Sequence, residues 1–254
     1  MAQPVTLEIE DGLGIMRISR GHGNAINRDL AEGLAGAIRE AEANDTLRGL
    51  LFAASGKLFS PGLDLRELIE LDRTGMKEFL DSFNAAFVEL HSFSKPMVAA
   101  MHGHAIAGGF LLTLTADWRI LKQGAQVGLA EIKVGVPFPF AIALILRDAV
   151  PRACLEEVAL LGKNYLDHEA LQAGLVNELL EAEKFEESCK RRLAAMAAKD
   201  PKAFAISKRY LRSRTTDRIR TAGSRHDDEW LDSWFSPATQ ERIRDLVEGL
   251  RQPL

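Results

Sequence analysis

Residues 95–109 read KPMVAAMHGHAIAGG, and residues 105–120 continue AIAGGFLLTLTADWRI. Pro96 restarts the chain, because proline cannot sit inside a helix without removing a hydrogen bond. Residues 97–103 form a short apolar run bounded by turn formers, which suits a buried strand. Gly108-Gly109 opens an apolar helix over 110–116, and 117–122 again has strand length and character. Strand, helix and strand in that order are the signature of parallel strands joined by crossover helices.

Outward from this stretch the pattern repeats. Residues 5–10 and 15–20 predict two strands around the Asp11-Gly12 turn. Asn24 to Asn27 opens a helix in which Leu30, Leu34, Ile38 and Ala41 recur at helical spacing, through about Ala43. LRGLLFAA (47–54) predicts a buried strand, 55–62 a loop, and the chain is helical from Asp64 and again over 76–91, where Phe79, Phe83, Phe87 and Leu90 share one face. Residues 126–129 predict another short strand. From Phe140 onward the pattern is mostly helical, with Asp200-Pro201 and Ser236-Pro237 as helix starts by cap chemistry. A change of composition near Ala182 divides the chain into an α/β core over 1–181 and a helical region over 182–254, expected to pack on the core or on a neighbouring subunit.

Composition narrows the function classes. The chain has 254 residues, enough to bury a substantial core. Its 32 Lys and Arg nearly balance 36 Asp and Glu, which gives no footprint for nucleic acid or a membrane surface. Cys154 and Cys189 lie far apart and read as free thiols of a cytoplasmic protein. The start MAQPVTLEIEDG has neither a basic nor an apolar leader pattern, and no apolar run reaches the length of a membrane span. No GxSxG elbow or Walker loop is present, against a serine hydrolase or an NTPase.

Two glycine turns carry the chemistry. In KLFSPGLDLRE (57–67) a helix starts near Asp64, so the Leu63 N–H is a donor without an internal partner. In GHAIAGGFLL (103–112) the turn at Gly108 presents N–H groups without side-chain obstruction. Two such donors on one oxygen make an oxyanion hole. Glu131 is the candidate base. His102 and His104 alternate at a strand end with no third ligand at metal spacing, and read as structural or pocket-lining. Asp64 reads as a cap, Phe79, Phe83 and Phe87 as core with part of the stripe able to line a pocket, and Phe138 and Phe140 follow Pro137 in GVPFPF.

The segments NAIN (24–27), FSPGLDL (59–65), KPMVAAMHGHAIAGG (95–109), DWRI (117–120), GLAEIKVGVP (128–137) and AGLVNEL (173–179) resemble the crotonase, or enoyl-CoA hydratase/isomerase, superfamily over nearly the whole chain. The resemblance implies an α/β crotonase fold of repeated ββα units with a C-terminal helical region, a homotrimer or homohexamer, and an acyl-CoA substrate with no separate cofactor and no metal. It places the oxyanion donors on Leu63 and Gly108. It places the CoA grip on Ala25, Ile26 and Lys57, with Arg66 near the CoA phosphates. The superfamily's two catalytic glutamates fall on Leu111 and Glu131, so one carboxylate remains. A single base suits movement of a double bond from 3-enoyl-CoA to 2-enoyl-CoA, as in Δ3,Δ2-enoyl-CoA isomerases. Hydration of a 2-enoyl-CoA, with Asp64 or another group positioning water, is the first alternative. Acyl-CoA binding without catalysis and thioester hydrolysis are the others.

Overall fold

The computed structural model describes residues 3–249; residues 1–2 and 250–254, the outer ends of the two expected segments, lie outside the described residues. β1 (Val5–Glu10) and β2 (Leu13–Ile18) form an antiparallel hairpin in which Glu10 faces Leu13. Asp11 and Gly12 have φ of 50° and 75°, the two positive values that a two-residue hairpin turn of this twist demands. The second strand therefore starts at Leu13, with no spare residue, and not at the expected Ile15. It also ends at Ile18, which frees Arg20 to bond elsewhere.

The first half continues through α1 (Gly21–Asn24), α2 (Arg28–Ala43), β3 (Gly49–Ala54), α3 (Leu65–Leu68), α4 (Arg73–Ser92), β4 (Met97–Met101), β5 (Ala105–Ile106), α5 (Gly108–Thr113), β6 (Trp118–Lys122) and β7 (Gln126–Gly128). The second half holds α6 (Glu131–Val134), α7 (Phe140–Ala149), α8 (Leu155–Leu160), β8 (Asn164–Leu166), α9 (Asp167–Gln172), β9 (Glu178–Leu180), α10 (Phe185–Ala197), α11 (Pro201–Ala222), α12 (Asp227–Trp234) and α13 (Pro237–Gly249). The main sheet has six strands in the order β1-β2-β3-β4-β6-β9, parallel from β2 to β9. A second sheet of β5-β7-β8 lies beyond the carboxyl ends of β4 and β6, so each of those strands runs on into a partner strand and a helix. These are the expected ββα units. β8 and β9, three residues each, interrupt the region that had been expected to be helical.

β3 and β4 are buried along their whole length, as parallel strands covered on both faces must be. Side chains alternate across the sheet. Leu50, Phe52, Met97, Ala99 and Met101 join the large core that also takes the apolar faces of α2 and α4. Leu51, Ala53, Val98, Ala100 and Ile120 meet Phe185, Cys189 and Leu193 of α10 on the other face. Cys189 is thus a packing residue, and both cysteines are free and buried. The tail continues back onto the main core through Trp230, Trp234, Ile243 and Val247. Its caps are those expected: Asp200 Oδ1 accepts from Ala203 N at 2.7 Å and Ser236 Oγ from Thr239 N at 3.3 Å.

A buried ionic junction locks α11 to the sheet. Asp117 accepts from Lys208 Nζ at 2.7 Å, from Arg212 Nη2 at 2.8 Å and from the Met97 N–H at 2.8 Å. Burial lowers the Lys208 pKa to about 8, against the opposing effect of the Asp117 carboxylate, which favours the charged lysine. Asp117→Ala leaves two buried cations unpaired and is expected to destabilise the fold by about 3–5 kcal/mol in a urea titration. Among the described residues, no helix is long and apolar enough to cross a membrane.

Candidate active site

The two glycine turns meet. After β3 the chain turns at Gly62 (φ 99°), and Ile26 N–H donates to the Gly62 carbonyl at 2.7 Å while Asp64 N–H donates to the Ile26 carbonyl at 2.8 Å. This short parallel bridge leaves Leu63 N–H turned the other way. After β5, Ala107 takes φ 51° and ψ −132°, a conformation that costs a non-glycine residue on the order of 1–3 kcal/mol. Its own N–H is held by the Gly128 carbonyl at 2.8 Å, and the following amide, Gly108 N–H, begins α5. The turns touch: a Cβ placed on Gly62 would lie 3.1 Å from Gly108 N. Neither the Leu63 nor the Gly108 N–H has a protein acceptor among the described residues.

Leu63 and Gly108 line one cavity with Leu111, Glu131 and Phe138. β7 ends at Gly128, and the chain enters the one-turn helix α6, whose first residue is Glu131. The remaining walls are Phe79, Leu80 and Phe83 of α4, Val136, Pro137 and Pro139 of the following loop, and Trp230 of α12. Glu131 is the single titratable residue among them. It is 8% exposed, and its Oε2 has no hydrogen-bond partner. Burial pushes its pKa up to about 7, against the opposing effect of backbone hydrogen bonds at Glu131 and Ala130. A carboxyl with that pKa is divided between both protonation states near neutral pH, which suits a group that must take a proton and return it.

The helical tail holds this carboxyl in place. Thr239 Oγ1 donates to the Gly135 carbonyl at 3.1 Å and Trp230 Nε1 to the Pro137 carbonyl at 2.8 Å, so two helices of the tail fasten the loop behind Glu131. On the other side Arg20 donates to Asp64 Oδ2 at 2.7 Å and to the Ala25 carbonyl at 2.9 Å, and it also pairs with Glu67. Asp64 is buried, caps α3 at Glu67 N and stands outside the cavity lining, so it does not supply a second acid there. Leu111 fills that position with an aliphatic wall.

Ala25, Ile26, Lys57 and Arg66 are not brought into the cavity. Ala25 and Ile26 are buried on the strand-like segment behind Leu63, Lys57 is exposed in the loop after β3, and Arg66 is half-buried in the first turn of α3. His102 Nε2 meets the Gly56 carbonyl at 2.9 Å, and His104 Nδ1 accepts from Gln126 N at 3.0 Å, so both histidines serve the fold. No group of three metal-binding side chains occurs among the described residues. A larger cleft of ≈ 770 Å³ under α11 contains His91 and Arg119, but burial holds His91 neutral with a pKa of about 3, and neither of its ring nitrogens has a hydrogen-bond partner among the described residues. Sequence reasoning missed Arg20, Leu80, Val136, Pro137, Pro139 and Trp230.

The sequence profile of the enoyl-CoA hydratase/isomerase family matches residues 8–252. The chain belongs to that family. Relatives carry both hydratase and isomerase names. A putative enoyl-CoA hydratase of Thermus thermophilus is 28% identical over 231 residues, 90% of this chain and 88% of that protein. Human mitochondrial enoyl-CoA delta isomerase 1 is 23% identical over 256 residues, 99% of this chain and 85% of that protein. The crystal structure of human mitochondrial delta3-delta2-enoyl-CoA isomerase superposes with a TM-score of 0.93 at 23% identity, covering 98% of each chain, a likeness of fold. A probable enoyl-CoA hydratase of Mycobacterium tuberculosis superposes with a TM-score of 0.82 at 25% identity, covering 97% of this chain and 98% of that one. The protein is therefore an enzyme of the enoyl-CoA hydratase/isomerase kind with the crotonase fold.

Proposed function

We propose that this enzyme converts a 3-enoyl-CoA into a 2-enoyl-CoA. The observation that carries this reading is the solitary buried Glu131 facing Leu111 in an otherwise apolar chamber. The thioester oxygen accepts from Leu63 N–H and Gly108 N–H. The Glu131 carboxylate removes a proton from C2, and the electron pair of that C–H bond spreads over the thioester and the C3–C4 double bond as a dienolate. The carboxylic acid so formed returns the proton at C4, leaving the double bond between C2 and C3 and the base regenerated. Each amide is expected to stabilise the dienolate oxygen by about 3–4 kcal/mol. The CoA moiety lies along Ala25, Ile26 and Lys57, with Arg66 near its phosphates. Exposed Tyr210 and Leu211 on α11, 71% and 84% accessible, support an assembly of copies in which they are covered, a homotrimer or homohexamer.

Hydration of a 2-enoyl-CoA is the second reading, favoured by hydratase names such as that of the Thermus relative. It needs a second polar group on the water, and the chamber offers Glu131 alone. Incubation with 3-enoyl, 2-enoyl and saturated acyl-CoAs separates the two. A 3-enoyl-CoA should give a product of unchanged mass and new retention time. Its kcat/KM should rise with pH and level off above about 7, because the base must be ionised to act. A product one water heavier from 2-enoyl-CoA, with no isomerisation of the 3-enoyl ester, would sink the isomerase reading.

A further inference from the structure

We propose that the cleft between α10, α11 and the start of β6 is a second binding site, which takes a carboxylate with a single apolar tail, its acid group against Arg119. The cleft shares no lining residue with the Glu131 chamber and stands independently of the reaction assigned to that chamber.

The charges around this cleft do not balance. Lys208 Nζ and Arg212 Nη2 both bond to Asp117, so one carboxylate serves two cations. Arg119 is left over. It is 8% exposed, it donates to the carbonyls of Leu175 at 2.8 Å and Ala116 at 3.5 Å, and it has no ion pair among the described residues. Burial and the charge of Arg212 pull its pKa down to about 10, against the opposing effect of Asp117. The other two acids of the lining are engaged elsewhere. Asp148 pairs with Arg147 and accepts from the Thr215 hydroxyl, and Asp200 caps α11. Exposed Lys199 adds a further positive charge. A buried cation without a counterion is costly, and an anion entering the cleft relieves that cost.

His91 stands at the same place. It is 5% exposed, and neither ring nitrogen has a partner. Arg212 Nη1 joins the His91 carbonyl to that of Thr115, both at 2.9 Å, and the next carbonyl along, Ala116, is one that Arg119 uses. Imidazole and guanidinium therefore converge on one short stretch of backbone. A neutral imidazole carries one N–H donor, which suits a carboxylate oxygen. Volume and lining fix the rest of the ligand. The cleft measures ≈ 770 Å³, within the range of small-molecule sites. Leu114, Ile145, Met196 and Phe204 give it apolar walls, which an inorganic anion would leave bare. A single uncommitted guanidinium matches a monoanion, its planar fork fits a carboxylate, and each methylene buried against the walls adds affinity.

The test is calorimetric titration of the full chain with octanoate and with octanol, in the presence of saturating butanoyl-CoA to occupy the Glu131 chamber. Octanoate should bind about tenfold more tightly than octanol, the discrimination expected of a charge-assisted hydrogen bond. Arg119→Met should erase that difference, and Arg119→Lys should restore part of it. Ala203→Trp fills the cleft from an exposed position in the first turn of α11, where the fold tolerates it. It should weaken octanoate and octanol alike by about tenfold or more. Octanoate binding that disappears when butanoyl-CoA is added would place the ligand in the Glu131 chamber and overturn the proposal. Equal affinity for octanoate and octanol, no heat from octanoate at millimolar concentration, or an octanoate Kd unchanged in Ala203→Trp would overturn it as well.

Discussion

Replacing Glu131 by Gln is expected to lower turnover of a 3-enoyl-CoA by about 10⁴-fold, the upper end for a general acid–base group, because one carboxyl performs both proton transfers. KM should change little, since the amides of Leu63 and Gly108 still hold the thioester. The same variant should report on stability. The carboxyl's pKa is raised from 4.5 to about 7 by burial, so in the folded state it resists ionisation. Its favourable contribution is complete below the unfolded value and is lost as the pH climbs through about 7, where the folded protein must carry a buried charge. Gln cannot ionise. Whatever constant penalty the buried amide brings, the stability of the variant relative to wild type should rise by about 2–3 kcal/mol between about pH 5 and pH 8. Urea midpoints measured across that range check this. A flat difference would mean that Glu131 is solvated, and the role assigned to it would go with the pH dependence.

What the chain disclosed about itself follows the range of the forces involved. β3 and β4 were legible because strands covered on both faces must be continuously apolar, and GLLFAA and MVAAM are. The helix starts at Asn27, Asp200 and Ser236 were legible because a cap is chemistry within three residues. β5, β8 and β9 were not, since two or three residues carry no period and their pairing is decided by distant partners. The same limit applied at the site. Leu63, Gly108 and Glu131 each sit at a local turn or helix start that sequence displays. Trp230 reaches Pro137 across 93 positions and Arg20 reaches Asp64 across 44, and nothing in the neighbourhood of either residue announces those meetings. Phe79 and Phe83 were read as core with a share in the pocket, and they are both: buried in the α4 stripe and present in the chamber wall.

Gly109→Ala is expected to cut kcat by about 10²–10³-fold, the loss that follows removal of one oxyanion donor, although residue 109 touches neither base nor substrate. A Cβ at this position would lie 2.3 Å from the Ser60 carbonyl oxygen and 2.7 Å from Ser60 Cβ. Ser60 cannot retreat. Its carbonyl accepts from Ile106 N–H at 2.9 Å, and its hydroxyl donates to the Asn24 carbonyl at 2.8 Å, inside the segment that carries Ala25 and Ile26. The clash must therefore be relieved by moving the start of α5 away from the turn at Gly62 and Leu63, which parts the two amides that should grip one oxygen. Overpacking of this kind destabilises by about 1–3 kcal/mol, so the variant should still fold, and the loss should appear in kcat more than in the binding of a saturated acyl-CoA. Gly36→Ala is the control for the substitution itself. Gly36 lies on an exposed position of α2 with nothing near its would-be Cβ, and alanine there should stabilise by about 0.4–1 kcal/mol and leave kcat alone. If Gly109→Ala kept full activity, the contact between the two turns would not be what aligns the donors, and the oxygen would have to be held elsewhere.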